Sequence, residues 1–133
     1  MNPNWYIFCN GLVTMKIQLK RVYETESPDD GFRILADRLW PRGIKKEALH
    51  LDFWAKEVAP STALRKRYHQ DGKFEDFKAD YTQELLANPA FASFLEMLKP
   101  HKVITLLTAS KLIEKSALPI LKEAISKNPL KTS

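Results

Sequence analysis

The sequence predicts a single layered α/β domain, with a small, mainly parallel sheet flanked by helices and a helix-rich middle. Strand-like segments lie towards both ends of the chain, and segments with helical spacing of apolar residues fill the stretch between them. Strands distant in sequence must therefore pair, as in layered α/β folds. The 133 residues suit one domain, which at this size buries about two-thirds of its unfolded surface. A hydrophobic content of 44% and a charged content of 28% argue against a disordered or fibrous chain.

Two strands are predicted in the first third of the chain. Residues 16–23 have a partial alternation of apolar side chains, which is typical of a strand and here suggests one at or near a sheet edge. Residues 27–31 contain a serine N-cap, a proline at the first helical position, two acids and a glycine, so they predict one helical turn or a tight loop. Residues 32–40 form the second predicted strand. The Pro-Arg-Gly sequence at 41–43 ends it because proline cannot continue a hydrogen-bonded ladder.

Helical spacing predominates from residue 45 to residue 97. Leu51, Trp54 and Val58 lie three and four residues apart, which predicts a first helix that Pro60 ends. Further apolar stripes predict the helices that follow.

The later elements have clear boundary signals. Ser61 can cap a helix, and the Asn-Pro pair at 88–89 separates two more. Residues 103–107 are apolar and mostly β-branched or leucine, which predicts a buried, parallel strand. A final helix is predicted over residues 111–126, where Pro119 bends it or marks its start.

The first fourteen residues differ from the rest of the chain. Residues 1–14 carry no charge and contain the only cysteine, Cys9, so we interpret them as a leader upstream of a start at Met15. They lack the basic beginning and long apolar run of a secretory signal. Residues 15–127 form the predicted domain, without cysteine, and 128–133 a tail. A cysteine-free domain without an apolar run of about 18 residues predicts a cytoplasmic protein that does not span a membrane.

The charge balance raises the question of nucleic acid. The net charge is +5, and a basic protein often binds nucleic acid through a stripe of lysine and arginine. Here the basic residues are interspersed with acids, and the densest run is Arg-Lys-Arg at 65–67. A nucleic-acid partner is therefore an alternative, and a solvated basic face is the simpler interpretation.

A candidate anion-binding pocket is the most specific functional feature. Arg38 and Arg42 flank Trp40 in the loop after the second predicted strand, and guanidinium groups bind phosphate or carboxylate through paired hydrogen bonds. Ser61 begins a predicted helix, whose free amides attract an anion, and Arg65 lies about one turn further on. If the two segments meet beyond the strands, they form a pocket for a phosphate, a nucleotide or an acidic metabolite.

Structural roles for the same residues are the competing interpretation. Loop arginines commonly cap helix ends or pair with a carboxylate such as Asp37, and Ser61 can serve only as a helix cap. Trp40 and Trp54 suit the core better than a stacking surface.

Signals for catalysis, metals and cofactors are weak. The three histidines are scattered and lack a metal-binding spacing, so we expect no metal site. The chain has neither a G-x-G-x-x-G motif nor a P-loop, and with only 4 glycines we expect no dinucleotide cofactor. Thr105, Thr108 and Ser110 are further candidates for a cleft at a strand end, although ordinary strand and cap roles also fit them.

The most distinctive run in the chain lies around the second predicted strand. Residues 31–43 have the sequence Gly-Phe-Arg-Ile-Leu-Ala-Asp-Arg-Leu-Trp-Pro-Arg-Gly. With Arg-Val-Tyr at 21–23, Trp54, Ala-Pro-Ser at 59–61 and Leu-Arg at 64–65, it resembles the YeaO-like family of uncharacterised proteins, a domain-of-unknown-function family (DUF488). The resemblance covers nearly everything after the leader. It implies a compact α/β domain and no particular reaction.

Two polar segments depart from the pattern of the family that the chain resembles. Relatives tend to have a Gly-His-Asp turn where this chain has Tyr-His-Gln-Asp at 68–71, with His69 one position early. Residues 112–116 retain a glutamate from a segment that is acidic and contains histidine in relatives. We therefore expect chemistry that depends on these segments to be weakened or absent.

Three classes of function remain open. The first is a small enzyme or binder of an anionic metabolite or nucleotide, motivated by the arginines of the predicted pocket. The second is a nucleic-acid-binding module, motivated by the basic charge. The third is a non-enzymatic protein-interaction domain, which could self-associate through its aromatic helices.

Overall fold

The computed structural model describes residues 5–8 and 13–127, with side chains described from Met15 onwards. The predicted tail at 128–133 lies outside the described residues. Part of the predicted leader takes part in the sheet, because residues 5–8 form a strand. Within the described residues, no helix is long and apolar enough to cross a membrane.

Five strands form one sheet. They are β1 (Trp5–Phe8), β2 (Val13–Arg21), β3 (Phe32–Leu35), β4 (Phe53–Trp54) and β5 (Val103–Thr108). Their order across the sheet is β1-β2-β5-β3-β4. Strand β1 pairs antiparallel with β2, and the other neighbouring strands are parallel. The predicted α/β class with a small, mainly parallel sheet is therefore confirmed.

Strand β5 is the middle of the sheet. It pairs with β2 on one side and with β3 on the other, and its last five side chains are buried. Because both faces of β5 are covered, apolar residues run along it without alternation. The buried parallel strand predicted at 103–107 is thus confirmed. The helical turn predicted at 27–31 is also present, as a 3-10 turn over Pro28–Asp30 with a capping box at Ser27.

Four helices follow from local signals. They are α1 (Thr62–Asp71), α2 (Phe74–Ala87), α3 (Pro89–Leu98) and α4 (Leu118–Lys127). The Ser61 hydroxyl accepts a hydrogen bond from the Leu64 amide and so caps α1, as predicted. The Asn88 side chain caps α3 in the same way. Helix α4 begins near Pro119 rather than at residue 111. Pro119 therefore marks the start of the helix, which was one of the two roles predicted for it.

The main core lies between the helices and one face of the sheet. Its largest members, fully buried, include Ile17, Ile34, Ile104 and Leu106 from the strands and Tyr81, Leu85, Leu98, Leu118 and Leu121 from the helices. The aromatic side chains of α2 and α3 are largely used in this core, since Phe77, Tyr81, Phe91 and Phe94 are all buried.

Loops rather than helices cover the other face of the sheet. A smaller apolar cluster there contains Leu35 and Leu107, with Trp40 and Trp54 packed against it. The two indole rings meet edge to face, with their centroids 5.3 Å apart. Both tryptophans therefore occupy the packing role that the sequence favoured.

A buried ionic group closes this face near the start of β3. The Asp30 carboxylate accepts hydrogen bonds from Lys20, at 3.1 Å, and from Arg33, which forms a buried ion pair with it. Burial alone would raise the pKa of Asp30, but the hydrogen bonds from the Ser27 amide, Lys20 and Arg33 hold it below its ordinary value. The Thr105 hydroxyl donates to the Asp30 carbonyl at 2.7 Å, so Thr105 belongs to this group and not to a cleft at the strand end.

The segment before Pro60 is not the helix that its spacing predicts. Residues 46–48 form a turn within an irregular loop, Phe53–Trp54 forms strand β4, and Lys56–Val58 forms a 3-10 turn. Parallel pairing of β4 with β3 overrides the helical spacing, because it places Trp54 beside Leu35 at the sheet edge. The second predicted strand is shorter than expected for a related reason, since β3 ends at Leu35 and residues 36–40 already belong to the loop.

Candidate functional site

A cleft of about 700 Å³ lies beyond the carboxyl ends of the central parallel strands. Residues that follow β3 and β5 form its floor, and α1 with the 3-10 turn Ile113–Lys115 forms its walls. Ligands in open parallel sheets bind at this position, because loops there diverge to opposite sides of the sheet. Its charged lining residues, among those described, are four cations and one acid: Arg38, Arg65, Lys66, Lys115 and Asp37.

Asp37 connects the ends of the two strands at the floor of the cleft. Its carboxylate accepts hydrogen bonds from the Thr108 hydroxyl and the Ala109 amide, both at 2.8 Å. The Trp54 indole donates to its backbone carbonyl at 2.7 Å, which holds the loop against β4. Burial raises the pKa of Asp37, while the hydrogen bonds from Ala109 and Thr108 and the positive charge of Arg65 act in the opposite direction.

Arg38 braces the wall of the cleft. Its Nε donates to the Pro60 carbonyl at 3.0 Å and its Nη2 donates to the Ala59 carbonyl at 2.9 Å. These carbonyls immediately precede α1, so the guanidinium fixes the loop after β3 to the start of that helix. The side chain lines the cleft and is half-buried.

The start of α1 already has an anionic partner within the chain. Glu84, on α2, accepts hydrogen bonds from the Ser61 amide at 3.0 Å and from the Ser61 hydroxyl at 2.5 Å. A carboxylate therefore occupies the position near the helix N-terminus where the sequence predicted a bound anion. Ser61 acts as a cap and as a link between α1 and α2, and only its neighbours Pro60 and Thr62 line the cleft.

Arg65 is the cleft arginine whose guanidinium group is free to bind a ligand. It lines the cleft from one side of α1 and is exposed. Within the described part of the chain, no hydrogen bond or ion pair engages its guanidinium group. Burial raises the pKa of Asp37, and the nearby charge of Arg65 partly opposes that rise.

Two of the predicted pocket residues lie elsewhere. Trp40 donates from its indole to the Ile44 carbonyl at 2.6 Å and packs on the loop-covered face of the sheet. Arg42 is exposed outside the cleft, and its backbone carbonyl accepts a hydrogen bond from Tyr23. The expected pocket with three guanidiniums and an indole wall is therefore wrong in these two members. The chain turns away after Arg38, so only Arg38 and Arg65 converge.

Several residues that line the cleft were only weak candidates in the sequence analysis, or were not candidates at all. Thr108 and Ser110 were weak candidates, and both line the cleft. Tyr68 and His69 were not expected to contribute to a pocket, yet they also line it. They lie three and four residues after Arg65, so helical spacing along α1 was the signal that could have identified them.

The two segments for which we expected a departure from the family pattern meet at this cleft. His69 and Gln70 line it from α1, and Lys115 and Ser116 line it from the opposite wall. The Tyr68 hydroxyl donates to the Lys115 carbonyl at 2.8 Å and joins the two segments directly. The described residues, those of the cleft included, contain no group of three histidine, cysteine or acidic side chains suited to a metal ion.

Fold and cleft together define a small α/β domain with a predominantly basic cleft at the carboxyl ends of its parallel strands. A family model, DUF488-N3i, described as the inactive DUF488-N3 subclade, matches residues 16–133. The chain belongs to this family, and the resemblance to YeaO-like proteins is confirmed.

Two relatives that match this chain are named as uncharacterised proteins. The uncharacterised protein YeaO of Escherichia coli is 45% identical over 98 residues, which cover 73% of this chain and 85% of the relative. The uncharacterised protein Rv3073c of Mycobacterium tuberculosis is 38% identical over 112 residues, which cover 84% of this chain and 94% of the relative. No solved structure gives a significant match.

Proposed function

We propose that this protein binds a small phosphate- or carboxylate-bearing metabolite, or a nucleotide, in the cleft and does not transform it. The observation that carries this proposal is the guanidinium of Arg65, which faces the cleft without an intramolecular partner among the described residues. A guanidinium with unused donors is suited to a phosphate or carboxylate group. Lys66 and Lys115 add positive charge at the same opening.

Two further observations favour binding over catalysis. The family model that the chain matches is described as an inactive subclade. In addition, both segments expected to diverge from the family pattern contribute to the cleft walls, through Tyr68, His69 and Gln70 and through Lys115 and Ser116. If relatives carry out a reaction with these segments, this chain has altered the reacting groups and kept the cleft.

The nucleic-acid alternative has less support from the arrangement of charge. Many basic side chains are paired within the chain, as in Lys20–Asp30, Arg33–Asp30, Arg67–Asp80, Lys78–Glu123 and Lys127–Glu123. A protein that follows a phosphate backbone presents a row of unpaired cations instead. The protein-interaction alternative also has less support, since the aromatic residues of α2 and α3 are largely in the core.

Isothermal titration calorimetry with Arg65→Ala tests the proposal. The full-length protein is titrated with inorganic phosphate, adenosine monophosphate and a dicarboxylate at fixed ionic strength. Loss of a charge-assisted hydrogen bond to an anion weakens binding by about tenfold or more, so the Arg65→Ala variant should lose most of the measured affinity.

Arg42→Ala is the matched control. It removes the same side chain from an exposed position outside the cleft, where the backbone carbonyl of Arg42 makes its only hydrogen bond to the described residues. Its affinities should equal those of the wild type. Absence of binding by every anion at millimolar concentration, or equal weakening by the two arginine substitutions, would contradict the proposal.

A further inference from the structure

The floor and the opening of the cleft differ in chemistry. The opening carries the cations Arg65, Lys66 and Lys115, whereas the floor carries the Asp37 carboxyl group and the buried Thr108 hydroxyl. A simple anion interacts favourably with the opening and unfavourably with the floor. This contrast constrains what kind of anion fits the whole cleft.

The Asp37 carboxylate has unused hydrogen-bonding capacity. An ionised carboxylate can accept about four hydrogen bonds, and Asp37 receives one at each oxygen, from Thr108 and Ala109. Within the described residues no cation lies within ion-pair distance of it, because Arg38 is turned to the Ala59 and Pro60 carbonyls. A half-buried carboxylate without an ion-pair partner, facing a cleft, favours a ligand group that donates hydrogen bonds.

The Thr108 hydroxyl reinforces this polarity. It donates its proton to Asp37 and accepts a hydrogen bond from the Ser110 amide at 3.2 Å. Its donor is therefore used, so it cannot offer a proton to an anion at the floor. Both side chains at the floor present oxygen acceptors to the cleft.

We infer that the ligand of this cleft is an anionic ester with free hydroxyl groups, such as a polyol phosphate, whose hydroxyls donate to Asp37 while its anionic group lies at Arg65. This inference rests on the proposed function and adds a substrate class to it. Asp37 is then the residue that distinguishes hydroxyl-bearing esters from simple anions. The cleft volume of about 700 Å³ is within the range of small-molecule sites.

Glycerol 3-phosphate and methyl phosphate are the two probes for a test. Both are phosphate monoesters, and only the first carries free hydroxyl groups. In calorimetric titrations of the full-length protein, glycerol 3-phosphate should bind about tenfold more tightly than methyl phosphate. A hydrogen bond to a charged acceptor contributes about that factor to the affinity.

Asp37→Asn separates this role from a structural one. The substitution is nearly isosteric and removes the negative charge, so it should reduce the preference for glycerol 3-phosphate and at the same time strengthen binding of methyl phosphate. A merely structural role would weaken both probes together. Arg65→Ala should weaken both probes and leave their ratio unchanged.

The outcomes distinguish this inference from the proposed function. Equal affinity for the two phosphate esters, or an Asp37→Asn variant that keeps the wild-type preference, overturns the inference while anion binding stands. Failure of both esters and of the other anions to bind overturns the proposed function as well.

Discussion

Arg38 and Arg65 line the same cleft, and their substitution should affect stability very differently. Arg38→Ala removes two hydrogen bonds from a charged donor to the carbonyls that precede α1. A hydrogen bond to a charged group contributes about 1.5–3 kcal/mol when well buried. Because Arg38 is half-buried, we expect a total loss of about 2–3 kcal/mol in the free energy of unfolding. Arg65→Ala removes an exposed side chain without a partner in the described chain and should change it by less than about 0.5 kcal/mol.

Urea denaturation followed by circular dichroism measures this difference. Extrapolated free energies of unfolding are compared at equal m-values, so that a change in midpoint reflects stability alone. For a domain of this size, the Arg38→Ala loss corresponds to a fall of about 10 °C in Tm. Arg38→Lys should recover part of the loss, since an ammonium can reach one carbonyl but lacks the planar fork. Equal stability of Arg38→Ala and Arg65→Ala would refute the assignment of a bracing role to Arg38.

Four further substitutions test other parts of the structure. Gly31 has φ 63° and ψ −133°, and an added Cβ would lie 2.3 Å from the Val103 carbonyl oxygen, so Gly31→Ala should cost at least about 3 kcal/mol in thermal or urea unfolding. Gly72 has a similar φ with open space around it, so Gly72→Ala should cost about 1 kcal/mol, and equal costs would contradict the close contact. Burial raises the pKa of Asp37 above its ordinary value of 3.8, so ionising this group costs more in the folded than in the unfolded protein. The free energy of unfolding of the wild type, measured relative to that of Asp37→Asn, should therefore fall as pH rises from about 4 through the folded-state pKa. A rise over that range would contradict the upward shift. The Tyr81 hydroxyl donates to the buried Val58 carbonyl at 2.6 Å, so Tyr81→Phe should destabilise the protein by about 1–2 kcal/mol in urea unfolding. An unchanged unfolding midpoint would contradict a stabilising role for this hydrogen bond.

Elements that depend on local signals could be predicted from the sequence. The cap at Ser61 and the Asn-Pro boundary at 88–89 set the beginnings of α1 and α3, because the required hydrogen bonds lie within a few residues. The apolar run at 103–107 indicated the buried strand β5 for the same reason. The resemblance to a known family rested on a contiguous run around β3, and it was confirmed.

Features that depend on distant pairing could not be predicted. Strand β4 has only two residues, and the spacing of apolar residues around Trp54 predicts a helix there. Pairing with β3 makes the segment extended instead. The contact between Glu84 and Ser61 joins residues 23 positions apart and occupies the helix start where an external anion was expected. No pattern in the sequence indicates such a partner.

The arginines illustrate the same limit within the candidate site. The sequence analysis grouped Arg38, Arg42 and Arg65 in one pocket because an arginine side chain is suited to binding an anion. Their directions depend on where β3 ends and how the loop turns, and these are properties of the folded chain. The result is a brace at Arg38, an exposed side chain at Arg42 and an unpaired cation at Arg65.

An NMR titration with glycerol 3-phosphate locates binding most directly. Amide chemical shifts of the full-length protein are followed as the ligand is added, with Arg65→Ala as the comparison. The cleft account predicts that the largest changes cluster at the amides of residues 37–38, 62–69 and 108–110, and that they vanish in the variant. Changes that centre on another surface, or that persist without the Arg65 side chain, would contradict it.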